Sequence, residues 1–290
     1  VEENENPGHI TPGPEGWHGA RIFFDLVSVG ATINVLLAAV KAKGLTIMEN
    51  VAREPEIVDL ATFLNNMGAH IRGAGTNEIR VQGVDSLKSM NVHTIIPDRI
   101  EAGTYLSFAA ANGNGVLVKN VITEHLDPFL SKLEEMGVRM EIDEDEIYVP
   151  GGDVLSPVNI KTSPFPGFAT DLQQPITPLL MQARGSSTII DTLYPERTKH
   201  IPEMQRMGAK ISSKDGIITV GHSTDLSGTV VEAGEIRAGV SLVGLALMAK
   251  GTTVINKADN ILRGYDRIVE KFRGLSVDLE VINESESLNL

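Results

Sequence analysis

Apolar residues recur along the chain at the spacing of a helix face: Ile57, Leu60, Ala61, Leu64 and Met67 form one stripe, and Leu126, Phe129, Leu130, Leu133 and Met136 a second. These stripes run into a shared punctuation, "NNMGAHIRG" at 65–73 and "EEMGVRMEI" at 134–142, which returns as "QRMGAKISS" at 205–213 and more loosely as "RGLSVDLEV" at 273–281. Gly68, Gly137 and Gly208 stand where a left-handed helix cap is expected. Met67, Met136, Met207 and Leu275 lie 69, 71 and 68 residues apart, so the chain is an internal repeat whose period exceeds that of ankyrin or tetratricopeptide arrays.

Other landmarks keep the same step. "TNEIRVQG" (76–83), "EDEIYVPG" (144–151) and "KDGIITVG" (214–221) each read as turn residues followed by a short strand ending in Gly. A second helix opens each repeat, at 29–44, 102–113, 172–185 and 239–251, and is apolar nearly all round, which predicts burial. Strands are expected after these helices, at 45–51, 116–121, 187–193 and 252–258. The predicted repeat is strand, buried helix, strand, surface helix and a hairpin-like strand pair. Pro175 and Pro178 fit only in or near a first turn, so the third buried helix should start late or kink. Residues 1–18, polar and rich in Pro and Gly, read as loop or linker, and the fourth repeat ends at "VDLEVINESESLNL" without a closing strand.

At 290 residues, two cores are expected. A hydrophobic share of 42% with 22% charged residues suits a globular protein, and no apolar run reaches the ~20 residues of a membrane span. The absence of cysteine excludes disulfides, thiolate metal sites and a cysteine nucleophile within these residues. A formal charge of -13 argues against nucleic acid or anionic membrane as the main partner, so an anionic ligand must be held by local cations and helix ends.

Such groups are present. Ser28, in "DLVSVGAT", can cap the first buried helix or, with Gly30 allowing close approach, help its amides receive an anion. Asp171, in "FATDLQQP", holds the matching place in the third repeat, either as a cap or as a carboxylate serving as a general base. Arg53, Arg197 and Arg263 sit in loops entering surface helices, and Arg99 and Arg237 precede buried ones. A single arginine of this kind is most often a solvated side chain, but repetition at equivalent ends points to an anion site. The seven histidines show no paired ligand spacing, so no metal is expected. Two functions remain: an enzyme acting on phosphorylated substrates, or a repeat scaffold that binds partners. The gathering of unusual residues at helix starts favours the enzyme.

The strings "DLVSVGATINVLLAAV", "NVAREPEIVDLATFLNNMGA", "IIPDRIEAGTY", "FATDLQQPITPLL", "HIPEMQRMGA" and "ILRGYDRIVEK" closely resemble the UDP-N-acetylglucosamine 1-carboxyvinyltransferases, a family of enolpyruvyl transferases, from about Gly19 to Val277. The related enolpyruvylshikimate phosphate synthases share the architecture but not these strings. The resemblance implies an α/β fold of two inside-out α/β barrel domains, built from repeats of about 70 residues with helices inside and sheets outside. Residues 1–95 would be the remainder of an incomplete first domain, 96–285 a second domain of three repeats with the last incomplete, and 286–290 a tail. It also implies a cytoplasmic enzyme of peptidoglycan synthesis. Such an enzyme transfers the enolpyruvyl group of phosphoenolpyruvate to the 3'-hydroxyl of UDP-N-acetylglucosamine, releases phosphate and needs no cofactor.

Carried over by motif, Asp171 would be the base facing the sugar hydroxyl, and Ser28, Val29, Gly30 and Leu193 would contact the nucleotide sugar. Arg237 and Arg263 would bind phosphoenolpyruvate or close the cleft, with Arg197 and Arg99 as supporting charges, while Leu26 stands where other members carry Lys. Family chains begin upstream with a Lys-Asn pair and later carry an acid-bearing loop, neither of which is matched here. The chain is therefore expected to be a C-terminal portion whose partner is the missing N-terminal segment, and to be inactive alone. The alternative is a remnant that only binds.

Overall fold

The structure, a computed structural model, describes residues 16–89 and 92–282. Residues 1–15 of the expected linker and the expected tail at 286–290 lie outside the described residues. Contacts divide the chain into two compact units, one holding the chain up to Ile96 with Pro164–Pro166, the other holding Pro97–Ser163 and the chain from Gly167.

The first unit runs β1 (Arg21–Phe23), α1 (Val29–Ala39), β2 (Leu45–Glu49), α2 (Pro55–Asn66), β3 (His70–Arg72) and β4 (Glu78–Gln82). Its sheet has the order β1-β2-β4-β3, with β1 parallel to β2 across the α1 crossover and the other pairs antiparallel. Leu36, Met48, Ile57, Ile79 and Val81 fill its core.

The second unit opens with α3 (Arg99–Asn112), β5 (Val116–Lys119), α4 (Asp127–Met136), β6 (Glu141–Ile142) and β7 (Glu146–Val149). It continues with β8 (Asn159–Lys161), α5 (Gln173–Leu180), β9 (Ser186–Ile190), α6 (His200–Arg206), β10 (Ile211–Lys214) and β11 (Ile217–Gly221). It closes with β12 (Val230–Glu232), α7 (Ile236–Ala246), β13 (Val254–Asn256), α8 (Asp259–Leu262) and α9 (Ile268–Gly274).

The sheet order β8-β9-β11-β10 reproduces β1-β2-β4-β3 strand for strand, so the sequence repeat is also a repeat of topology. The other two sheets are shorter. In β5-β7-β6 the opening strand is absent among the described residues, because 92–96 lead across the boundary at Ile96 instead of pairing with β5. The parallel pair β12-β13 has no hairpin, and residues 277–282 add no strand.

Burial of the helices depends on their neighbours. Helix α5 packs between α3 and α7, and all of its residues are buried, Pro175 and Pro178 included. Helix α1 departs from the expectation of burial all round: only Thr32, Leu36 and Ala39 are buried, and Leu37 is exposed. Within its unit α1 has a single sheet and α2 to pack against, so one stripe is covered rather than the whole cylinder. Helix α5 also ends at Leu180, short of the expected 185.

The repeated glycine is used as read: Gly68, Gly137 and Gly208 have φ of +100°, +91° and +92°. At Gly68 an added Cβ meets nothing within 4 Å, whereas at Gly208 it would come to 2.7 Å from the Asp225 carbonyl oxygen. Gly68→Ala is expected to cost about 1–2 kcal/mol from left-handed strain alone, and Gly208→Ala more, in denaturant unfolding. Equal losses would show that the Asp225 backbone yields freely.

Candidate active site

The late start of α5 shapes the second unit's polar centre. Pro175 supplies no N–H and falls in the first turn of α5, so the chain enters through a single 3-10 turn, Thr170–Leu172. Asp171 rides on that turn and does not cap α5, whose preceding residue is Leu172. Its Oδ1 accepts from Arg197 Nη1 at 2.7 Å and its Oδ2 from Arg237 Nη2 at 3.4 Å. The Asp171 side chain is 38% exposed, while those of Arg197 and Arg237 are 20% and 16% exposed.

Two guanidiniums against one carboxylate leave one positive charge, most of it on partly desolvated groups. Burial alone would raise the Asp171 carboxyl, but the charge of Arg237 and the hydrogen bond and charge of Arg197 outweigh it and hold the group below the ordinary carboxylate range. Arg237 is the second residue of α7, in a first turn whose dipole disfavours a cation. Burial would lower its pKa further, but the Tyr265 hydroxyl and Asp171 raise it instead.

Each arginine has a second anchor. Arg197 Nη1 also donates to Thr170 Oγ1 at 3.2 Å, and Thr170 Oγ1 donates to Asp191 Oδ2 at 2.6 Å. Asp191, at the end of β9 and buried, accepts as well from Thr162 Oγ1 and from the Leu193 and Tyr194 backbone N–H groups, so it fixes the loop that leads to Arg197. Arg197 Cζ lies 4.8 Å from the centroid of the Tyr194 ring. Arg237 Nη1 donates to the Tyr265 hydroxyl at 3.0 Å, and that hydroxyl lies 3.0 Å from Thr104 Oγ1 on α3.

Behind this centre Gln174 Nε2 bonds to Glu235 Oε1 at 2.8 Å and to His200 Nδ1 at 3.2 Å. His200 has no exposed surface, and burial together with the charge of Arg197 pushes its pKa down to about 4.

Of the residues singled out by sequence, the structure brings Asp171, Arg197 and Arg237 into contact. Leu193 is half-buried in the loop held by Asp191, Arg99 opens α3 five residues before Thr104, and Arg263 is exposed at the end of α8, two residues before Tyr265. Ser28, Val29 and Gly30 belong to the first unit, where Ser28 caps α1, its Oγ accepting from Ala31 N at 3.3 Å, and Gly30 faces open space. Arg53 and Leu26 are exposed in that same unit. Thr104, Thr170, Asp191, His200 and Tyr265 were not singled out in the sequence, since nothing local marks the distant partners that they meet in the fold. Among the described residues no group of three acids or histidines is placed to hold a metal, and no helix is long and apolar enough to cross a membrane.

Comparison with known proteins places the chain in a family. The family model described as EPSP synthase (3-phosphoshikimate 1-carboxyvinyltransferase) matches residues 1–272. The chain belongs to the EPSP synthase family.

A UDP-N-acetylglucosamine 1-carboxyvinyltransferase 2 from Lactiplantibacillus plantarum is 60% identical over 99% of this chain and 67% of its own length. A UDP-N-acetylglucosamine 1-carboxyvinyltransferase from Lactobacillus acidophilus is 58% identical over 96% of this chain and 65% of its own. The chain thus spans about two thirds of the length of the curated relatives it matches. Among solved structures, the enolpyruvyl transferase NikO from Streptomyces tendae superposes with a TM-score of 0.79 at 26% identity, covering 86% of this chain and 59% of that one. EPSP synthase from Acinetobacter baumannii shares the fold, with a TM-score of 0.69 at 18% identity over 92% of this chain and 64% of that one. The inside-out α/β fold of the EPSP synthase family is therefore the fold of this chain.

The buried imidazole sets a pH dependence. An unfolded chain protonates His200 near its ordinary pKa of 6.5, the folded chain only near about 4, so the unfolded state binds more protons between these values. Stability is expected to fall as pH drops through that window, with the His200 imidazole remaining neutral in NMR titrations down to about 4. His200→Gln should flatten this part of the curve. The Asp171 pair behaves separately: its stabilisation is present above the ordinary carboxylate range and is lost as pH falls through the lowered folded value.

Proposed function

We propose that this chain carries the Asp171 side of an enolpyruvyl transferase that moves the enolpyruvyl group of phosphoenolpyruvate to the 3'-hydroxyl of UDP-N-acetylglucosamine. Phosphate is released and no cofactor takes part, and the reaction serves peptidoglycan synthesis in the cytoplasm. The observation that carries this reading is the carboxylate held between two arginines in a chain 60% identical to a protein named for that reaction.

The roles follow from the electrostatics. An ionised carboxylate can accept a hydrogen bond from a sugar hydroxyl and orient it, but one held below the ordinary range is a poor proton acceptor. An incoming phosphate or carboxylate competes for Arg237, whose contact with Asp171 is the longer of the two at 3.4 Å. Losing that countercharge raises the basicity of Asp171 as the second substrate arrives. Asp171 then takes the hydroxyl proton as the sugar oxygen bonds to the phosphate-bearing enol carbon while the methylene carbon gains a proton from a general acid; that methyl group then gives up a proton as phosphate leaves, which restores the double bond. Arg237 and Arg263 hold the phosphoenolpyruvate anion, with Arg197 and Arg99 as supporting charges. Ser28, Val29, Gly30 and Leu193 contact the nucleotide sugar.

The test is phosphate release from both substrates, measured on the chain alone and within a protein of its relatives' full length. In the full-length protein Asp171→Asn is expected to lower turnover by about 10²- to 10⁴-fold, the usual worth of a general base, while UDP-N-acetylglucosamine binding changes little. Unchanged turnover would remove Asp171 from the chemistry.

A further inference from the structure

The hydroxyl of Tyr265 sits in a chain of hydrogen bonds whose direction the geometry determines. Thr104 Oγ1 lies 2.8 Å from the Ile100 carbonyl oxygen, an acceptor only, so the single hydroxyl hydrogen of Thr104 is committed there. Across the 3.0 Å contact with Thr104, Tyr265 must then be the donor. With its own hydrogen spent, the Tyr265 oxygen meets Arg237 Nη1 as an acceptor, at 3.0 Å. The order is Arg237 to Tyr265 to Thr104 to the α3 backbone; were Thr104 the donor to Tyr265, its oxygen would face the Ile100 carbonyl oxygen with no hydrogen between them.

The same residue fixes the backbone beside a second arginine. Tyr265 is 1% exposed and packed in a cluster with Phe108, Val240, Ile261 and Phe272, so its ring is fixed by α3, α7, α8 and α9 together. Its chain neighbour Gly264 touches α7: a Cβ there would overlap Ile236 Cγ2, next to Arg237. The segment Arg263–Gly264–Tyr265 is thereby seated on the first turn of α7, with Arg263 at its exposed end. Arg237 Cζ lies 5.4 Å from the Tyr265 ring centroid, so the ring and the hydroxyl both limit where the guanidinium can go.

We infer that Tyr265 is a positioning residue that orients the Arg237 guanidinium and registers the Arg263 loop against it, so that the two arginines present a preformed site to the phosphorylated enol substrate. This rests on the functional reading above for the identity of that substrate. It rests on the hydrogen-bond order alone for the restraint on Arg237. A guanidinium held on one side by Asp171 and on the other by Tyr265 has little rotational freedom left to lose on binding an anion, which is how preorganisation raises affinity.

Tyr265→Phe keeps the ring and its packing and removes only the hydroxyl. Within the full-length protein it is expected to raise KM for phosphoenolpyruvate about 10-fold with kcat changed less than about 3-fold and UDP-N-acetylglucosamine binding unaltered, a size typical of one charge-assisted hydrogen bond. In an Arg237→Lys background the same substitution should add almost nothing, since lysine does not reproduce the oriented fork. An unchanged KM in the first case, or full additivity in the second, would overturn the proposal. A readout independent of turnover comes from side-chain NMR of arginine-labelled 290-residue chain: restricted rotation of the Arg237 guanidinium in the wild type should become fast in Tyr265→Phe. Equal rotation in both proteins would refute the restraint even if no enolpyruvyl transfer were found. A wild-type protein that released no phosphate would refute the functional reading and leave the rotation result to decide on Tyr265.

Discussion

The second unit depends on one constraint: α3, α5 and α7 are apolar over nearly their whole circumference and exist as stable helices only by enclosing one another. Fully buried side chains such as Leu106, Ile176, Leu179, Leu242 and Leu245 meet in that interior, where truncating one leucine typically costs about 2–5 kcal/mol. Helices buried on their flanks hold ionised groups most readily at their ends, where loops and solvent reach them. The charged centre of this unit therefore forms at helix starts, from the turn before α5, the first turn of α7 and the loops beside them.

Placing charge there creates an electrostatic problem that the structure resolves by pairing. Arg237 in the first turn of α7 faces the unfavourable end of the helix dipole, and Asp171 offsets it. Asp171 is in turn drawn toward Arg197, which the Thr170–Asp191 link ties to β9. Ionised groups that are half desolvated and mutually compensated store the means to respond to a further anion, because any ligand that recruits one arginine changes the carboxylate left behind. A repeat scaffold that only bound partners would have no use for such a balance at the ends of its buried helices.

Much of the architecture was legible because helix stripes, glycine caps and strand-ending glycines are local signals. The repeated Met-Gly pair marked three helix ends whose glycines do adopt positive φ, and Pro175 announced the late start of α5, whereas Pro178 lies inside that helix beyond the first turn expected of it. Where local pattern misled, the cause was tertiary. The α1 sequence is as apolar as that of its counterparts, yet it is covered along one stripe because its unit gives it fewer neighbours. Among the described residues the opening strand expected in the second repeat is absent, the chain there running from one unit into the other.

The site divides in the same way. Sequence by itself determined which residue types stand at helix starts: Ser28 capping α1, Asp171 before α5, Arg237 beginning α7. Only the tertiary structure decided that Asp171 is an ion-paired carboxylate instead of a cap, since its partners lie 26 and 66 residues away. Tyr265 and Thr104 are separated by 161 residues, and nothing in the sequence marked them as partners. The physical reason is range. Helix and strand periodicity is written by neighbours within a turn or two, whereas the state of a charge is set by whatever the folded backbone brings within a few ångströms of it.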